Sequence, residues 1–142
     1  MAKQAPLRLR AQDADGLTTV SSFLQDALIL PKDIQFDKAA RRFAMVANRF
    51  RWETQRGLFK PRPTRVKTFV RFDFVDSVHT RSFDPEDTIP LNLLSIAAAA
   101  DTEVRLTFSN GPEIALICEA IDMTLDDVGP PWLANRAPRH SA

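Results

Sequence analysis

Tyrosine is absent from this 142-residue chain, which also holds one cysteine, two histidines and four glycines. Each shortage excludes something. With Cys118 alone no disulfide can form within the chain, and nothing points to an oxidising compartment. His79, His140 and Cys118 lie too far apart in sequence to make the close ligand pairs of a zinc site. So few glycines leave no phosphate cradle of the P-loop kind. The opening MAKQAPLRLR has no apolar run able to act as a signal peptide, and no later segment approaches the apolar length of a membrane span. The expectation is a soluble cytoplasmic protein that makes no membrane contact, with no metal site and no cofactor.

What is present is ordinary in amount and unusual in layout. A hydrophobic fraction of 44% and a charged fraction of 26% describe a globular chain of single-domain size, residues 1–142. The net charge of +1 conceals a division. From Arg41 to Arg71 ten basic residues face Glu53 alone, whereas from Phe72 to Val128 twelve acidic residues face only Arg81 and Arg105.

The strongest local pattern is Glu103 to Val128. Val104, Leu106 and Phe108 alternate with polar residues, Asn110-Gly111 supplies two residues tolerant of positive φ, and Ile114, Leu116 and Cys118 line one face of a second arm. This reads as an antiparallel hairpin. Past Cys118 the apolar parity shifts to Ile121, Met123 and Leu125, which predicts a bulge or bend near Glu119-Ala120. A helix over 118–128 also fits the spacing; the strand is preferred.

Earlier in the chain, Leu7 and Leu9 suggest a short strand. Asp13 suits a helix N-cap before the stripe Leu17, Val20, Leu24, Ala27, Leu28, which should end before Pro31. Ile34 to Phe36, Phe43 to Trp52, Val66 to Phe74 and Leu91 to Ala98 read as strands, with a second bulge near Asn48 and a bent continuation of the third through Val78 to Phe83. Asp84 to Asp87 is a turn. Residues 54–64, with Gly57, Pro61 and Pro63, are the candidate mobile loop. Gly129-Pro130-Pro131-Trp132 should end regular structure, with Trp132 packed over one end of the sheet and 133–142 a frayed tail.

The fold class is therefore α+β: a bent, mostly antiparallel sheet or partly open β-barrel or roll of about seven strands, with one N-terminal helix able to plug an open end. It is loosely pleckstrin-like, although the helix follows the first strand instead of ending the barrel.

The segments LRLRAQDADGL, FLQDALI, RRFAMVANRFRWE, FVDSV, LNLLSIAA, LTFSNG and LDDVGPPW, in this order, resemble the alphaproteobacterial domain-of-unknown-function family 2948. The resemblance covers nearly the whole chain. It implies a single-domain cytoplasmic protein and brings no assigned activity, cofactor or active site.

Candidate chemistry is thin. Asp84, Glu86 and Asp87 read as solvated turn residues before they read as a cation site. Cys118 with His79 is the one conceivable nucleophile pair, yet Cys118 continues a core face. Asp126 and Asp127, adjacent on a strand, should point to opposite faces. In NRFRWE the same alternation sets Arg49 and Arg51 against Phe50 and Trp52, so the aromatics should anchor the core. The leading expectation is a non-enzymatic binding or adaptor module, with Arg41, Arg42, Arg49, Arg51, Arg56, Lys60, Arg62 and Arg65 engaging an acidic protein or the acidic region of a second copy. A nucleic-acid-binding protein using the same arginines is the alternative, and an enzyme of unknown class the third reading. The charge blocks are expected to form separate faces.

Overall fold

The computed structural model describes residues 6–135. The first strand, β1 (Arg8–Ala11), leads into helix α1 (Ala14–Leu24). There follow β2 (Leu28–Ile29), β3 (Ile34–Asp37), β4 (Arg42–Phe50), β5 (Thr64–Asp73) and β6 (Val75–Arg81). The chain closes with β7 (Leu91–Ala100), β8 (Glu103–Phe108), β9 (Glu113–Cys118) and β10 (Met123–Leu133). This is an α+β protein with one helix and an antiparallel sheet. The sheet has ten strands where the sequence suggested about seven. The additions are the two-residue β2 and the separation of long bent runs into distinct strands.

Asp13 caps α1 by accepting the Gly16 N–H at 2.7 Å, and Leu17, Val20 and Leu24 form its buried stripe. Each such side chain withdrawn from water contributes about 1.5–3 kcal/mol. The helix stops earlier than its apolar spacing predicts. Asp26 adopts φ 62°, its N–H bonds to Leu93 O, and Leu93 N–H returns to Ala27 O, so sheet hydrogen bonds capture Leu28 before another turn can form. The helix also covers an otherwise open strand edge, since Ser21 Oγ accepts the Ile96 N–H of β7 at 2.8 Å.

Hydrogen-bonded neighbours run β1-β10-β5-β4-β2-β7-β8-β9-β6, with β3 added to β4. The two end strands do not pair with each other, so the sheet is open. It nevertheless folds over on itself. Phe74, at φ 61°, breaks the run from β5 into β6, and residues 119–122 break β9 from β10. The two breaks sit side by side: Asp73 N–H bonds to Asp122 O and Glu119 N–H to Phe74 O, each at 3.0 Å. At this corner the β6–β9 ladder passes into the β5–β10 ladder. Two short β2 residues bridge the opposite side, pairing Leu28 with both Asn48 and Asn92. Between the halves lies one apolar core that includes Leu17, Leu24, Phe43, Met45, Phe72, Leu106, Leu116 and Leu125.

Three expectations need correction. No bulge interrupts β4 near Asn48; its register with β5 runs unbroken from Arg42↔Asp73 to Phe50↔Arg65. Regular structure does not end at Gly129 either. β10 slips register between Val128 and Trp132, then pairs Trp132 with Arg65 and Leu133 with Thr64, because a bulge absorbs the two prolines at an edge where no N–H is required. Trp132 is consequently a partly exposed strand residue, not a plug over the sheet's end. The expected tail, 133–142, lies mostly outside the described residues.

The parity change after Cys118 is resolved by the corner, and the segment that follows is strand β10. The hairpin at Asn110 is as the sequence reads. Asn110 and Gly111 have φ of 69° and 110°, and the turn closes with Phe108 N–H donating to Pro112 O at 3.0 Å. Nothing crowds Gly111, so its requirement is conformational alone. Replacing Gly111 by Val should cost more than about 1 kcal/mol, since a β-branched residue fits positive φ badly; a thermal melt unchanged by the substitution would contradict this.

Candidate interaction surface at the loop end

The candidate arginines separate into three groups according to where the strands carry them. Arg41 and Arg42 belong to the corner. Arg41 contacts Asp76 at 2.8 Å and Glu119 at 2.7 Å, and its guanidinium lies 5.9 Å from the centre of the Phe74 ring. Arg42 and Arg71 both bond to Asp73, and Arg10 binds Asp122 through two nitrogens. The basic and acidic blocks interdigitate here, against the expectation of separate faces. The β4–β5 pairing sets Arg42 opposite Asp73, and the corner brings Asp76 and Glu119 to Arg41.

Arg49 forms the second group on its own. It continues the core face of Phe43, Met45 and Ala47, and its side chain is 0% exposed. Burying a guanidinium is costly unless every donor finds an acceptor. Arg49 donates to both oxygens of Asp127, at 3.1 and 2.7 Å, and to both oxygens of Glu53, at 2.8 Å each. Asp127 also accepts from the Leu7 N–H at 2.9 Å and the Thr68 hydroxyl at 2.8 Å. Burial alone would raise the Asp127 and Glu53 carboxyls; Arg49, helped at Asp127 by Leu7 and Thr68, outweighs it and holds both below their ordinary values. Burial likewise pushes Arg49 down, and the two carboxylates more than reverse this. Arg49 is therefore removed from any binding surface. The signal was available in sequence: a basic residue in phase with a core stripe, with Glu53 four positions on.

The third group surrounds the β4–β5 connection, about 30 Å along β5 from the corner at the rise of an extended strand. Arg51 donates to Thr64 Oγ1 at 3.2 Å, and Arg65 to the carbonyls of Asn48 and Asp26 at 3.0 and 3.3 Å. Arg65 also stands 5.8 Å from the Phe50 ring, and its pKa is lowered by burial, with Asp26 opposing. These two arginines brace the base of the loop. Arg56, Lys60 and Arg62 are exposed, and among the described residues they form no ion pair. Between them Leu58 and Phe59 are each 94% exposed. Trp132 and Leu133 add partly exposed apolar surface beside Arg65 and Thr64, and Ala134 N–H ties that strand to Pro63 O at 3.0 Å. Sequence reading found these cations but passed over Leu58 and Phe59, whose significance depends on exposure.

Behind the loop, a cleft of about 500 Å³ separates its inner side from the end of α1. Phe50 is fully buried, edge-on to Trp52 with ring centres 4.5 Å apart, but it lies on the strand face opposite Phe43, Met45 and Ala47 and outside the main core, so Arg49, not the NRFRWE aromatics, takes the core face. Arg49 shares that burial, because the strand end is covered on both faces.

Other chemistry does not assemble. Cys118 is buried, pairs across the strands with Val75 four residues from His79, and burial, then Asp76, push its thiol up to about 11. His79 is exposed and contacts Ser77 Oγ at 3.2 Å. Asp126 faces Arg8 at the surface while Asp127 faces inward, so the adjacent pair diverges. Asp84 and Asp87 accept the N–H groups of Glu86 and Ile89, as turn residues do. Among the described residues no cluster of His, Cys, Asp and Glu could hold a metal ion, and no helix is long and apolar enough to cross a membrane.

A family model described as "Protein of unknown function (DUF2948)" matches residues 7–140. The chain belongs to this family. No curated protein and no solved structure matches it. Membership in DUF2948 assigns no activity, so a functional reading rests on the geometry of the loop end.

Two measurements test the electrostatics. Asp127→Ala leaves buried Arg49 with Glu53 alone and removes the acceptor of the Leu7 N–H and the Thr68 hydroxyl, and should cost on the order of 3–5 kcal/mol, whereas Asp126→Ala, which breaks the exposed pair with Arg8, should cost about 0–1 kcal/mol. Because the folded protein depresses Asp127 and Glu53, their contribution is present above the unfolded carboxyl values near 4 and is lost as pH falls through the folded ones. Urea melts should show stability declining below about pH 4, and the decline should be shallower in Asp127→Asn. In addition, thiol labelling of Cys118 should be slow in the native protein and fast in denaturant; rapid native labelling near neutral pH would contradict its burial.

Proposed function

We propose that this protein is a non-enzymatic binding module that engages an acidic partner protein through the loop between β4 and β5. The observation that carries the reading is the pairing of two almost fully exposed apolar side chains, Leu58 and Phe59, with the flanking cations Arg56, Lys60 and Arg62. Exposed large apolar residues are unremarkable singly, but a bulky pair at a protruding tip, ringed by one sign of charge, has the make-up of an interface anchor and its rim.

Charge complementarity calls for an acidic partner. A second copy of the chain is a poorer fit, because Asp73, Asp76, Glu119, Asp122, Asp126 and Asp127 are already engaged by arginines of the same chain. A nucleic acid would satisfy the cations and leave Leu58 without a role. Relative to the full basic span 41–71, the proposed surface is the narrower one around 56–62, with Trp132 and Leu133 beside it.

The probes are two synthetic peptides of equal negative charge, one with interspersed leucine and phenylalanine and one with serine in their place, together with oligothymidylate and phosphatidylserine vesicles. The apolar acidic peptide should bind best, more weakly as salt rises. Leu58→Ser with Phe59→Ser should reduce its affinity by about tenfold or more, on the scale of a lost anchor, with the melting temperature unchanged. Equal binding of both peptides, an unaffected double variant, or tighter binding of oligothymidylate or vesicles overturns the protein-partner reading.

A further inference from the structure

We infer that the cleft between α1 and residues 52–60 is a binding site for a small anion carrying a flat apolar body, such as an aryl phosphate or a mononucleotide. The site shares Arg56 and Lys60 with the rim of the loop tip but not Leu58 and Phe59, and it does not depend on the docking reading. Its volume of about 500 Å³ falls within the range of small-molecule pockets. The walls are fixed by the fold. Phe50 ends β4, Trp52 packs edge-on to it, and Trp52 Nε1–H donates to Gln25 O at 2.9 Å, locking the indole against the end of α1. Gln55 is held in turn, its amide nitrogen donating to Thr54 Oγ1 at 3.2 Å and to Pro61 O at 3.1 Å, which folds the loop back over the opening.

Charge at the cleft is of one sign. Arg56 and Lys60 line it, while of the carboxylates adjoining the lining Glu53 spends both oxygens on Arg49 and Asp26 is buried and not part of the wall. The buried ion pair thus withdraws the negative charge that would otherwise neutralise these cations. An aromatic wall, amide groups and two uncompensated cations together suit a ligand with a ring at one end and a phosphate or carboxylate at the other. Charge-assisted bonds from Arg56 and Lys60 would hold the anion, and the apolar body would lie against Phe23 and Trp52, the lining rings that are not fully buried.

The chain has two tryptophans, so Trp132→Phe leaves Trp52 as the sole reporter inside the cleft. Phenyl phosphate and adenosine monophosphate, titrated into this variant, should change Trp52 emission saturably. Inorganic phosphate and adenosine should each bind about tenfold or more weakly, since each supplies only half of the interaction. Arg56→Gln with Lys60→Gln should weaken phenyl phosphate by about tenfold or more without moving the thermal midpoint. Ser22→Phe, which places a ring in the cleft from the helix side, should abolish the response. Leu58→Ser with Phe59→Ser should leave it intact, which separates this site from the docking surface. The absence of a saturable response at millimolar phenyl phosphate, equal affinity for inorganic phosphate, or an unaltered response in Ser22→Phe overturns the inference.

Discussion

A buried guanidinium has no tolerable state except a fully bonded one, and Arg49 imposes that demand on five segments at once. Its carboxylate partners come from β10 and from the turn after β4, and Asp127 relays the connection to the Leu7 backbone before β1 and to Thr68 on β5. Four of these bonds to Arg49 have the paired geometry that suits a planar guanidinium to carboxylates. An apolar residue at position 49 could fill the space, but it would not dictate which acid meets it or where the chain must turn. The loop carrying Leu58 and Phe59 therefore leaves the sheet from an anchored base, and among the described residues its cations Arg56, Lys60 and Arg62 form no ion pair.

The charge blocks show how misleading a linear tally can be. Read along the chain, a balance of plus nine followed by minus ten invites a picture of two opposed faces. Antiparallel pairing converts sequence separation into lateral contact: β10 lies between β1 and β5, so Asp122, Asp126 and Asp127 fall beside arginines more than fifty positions away. What remains basic, apart from exposed Lys67 on β5, is the part of the block that projects beyond the paired strands. The proposed surface is the residue of this cancellation, much smaller than the 41–71 span.

Local patterns were legible wherever the deciding interaction was local. Asp13 as a cap, Asn110-Gly111 as a turn and Cys118 as a core residue all depend on neighbours within a few positions, and the structure agrees with each. The failures share a different cause. Leu28 left the helix because Asp26 and Ala27 bond to Leu93 and draw the chain into the sheet beside Asn92; Trp132 stayed in a strand because Arg65 was there to pair with it; Asn48 needed no bulge because the residue that broke the apolar alternation was a buried arginine with partners elsewhere. The site was half visible. Its cations could be counted from sequence, but exposure at Leu58 and Phe59, and the capture of Glu53 by Arg49, are properties of the assembled sheet.

The pairing of the first strand with the last sets the order in which this molecule can be made. Arg8 lies opposite Asp126, so β1 has no partner until the ribosome has released a residue 118 positions further on. Synthesis at about 5–20 residues per second leaves that strand waiting for several seconds. Within the same interval the hairpin of β8 and β9, whose contacts are local, can close in microseconds. The first strand is thus made long before its partner and fixed only after it. Until β10 arrives, the edges of β1 and β5 that it fills are open to other chains, which makes that interval the one in which the newly made protein is most exposed to aggregation.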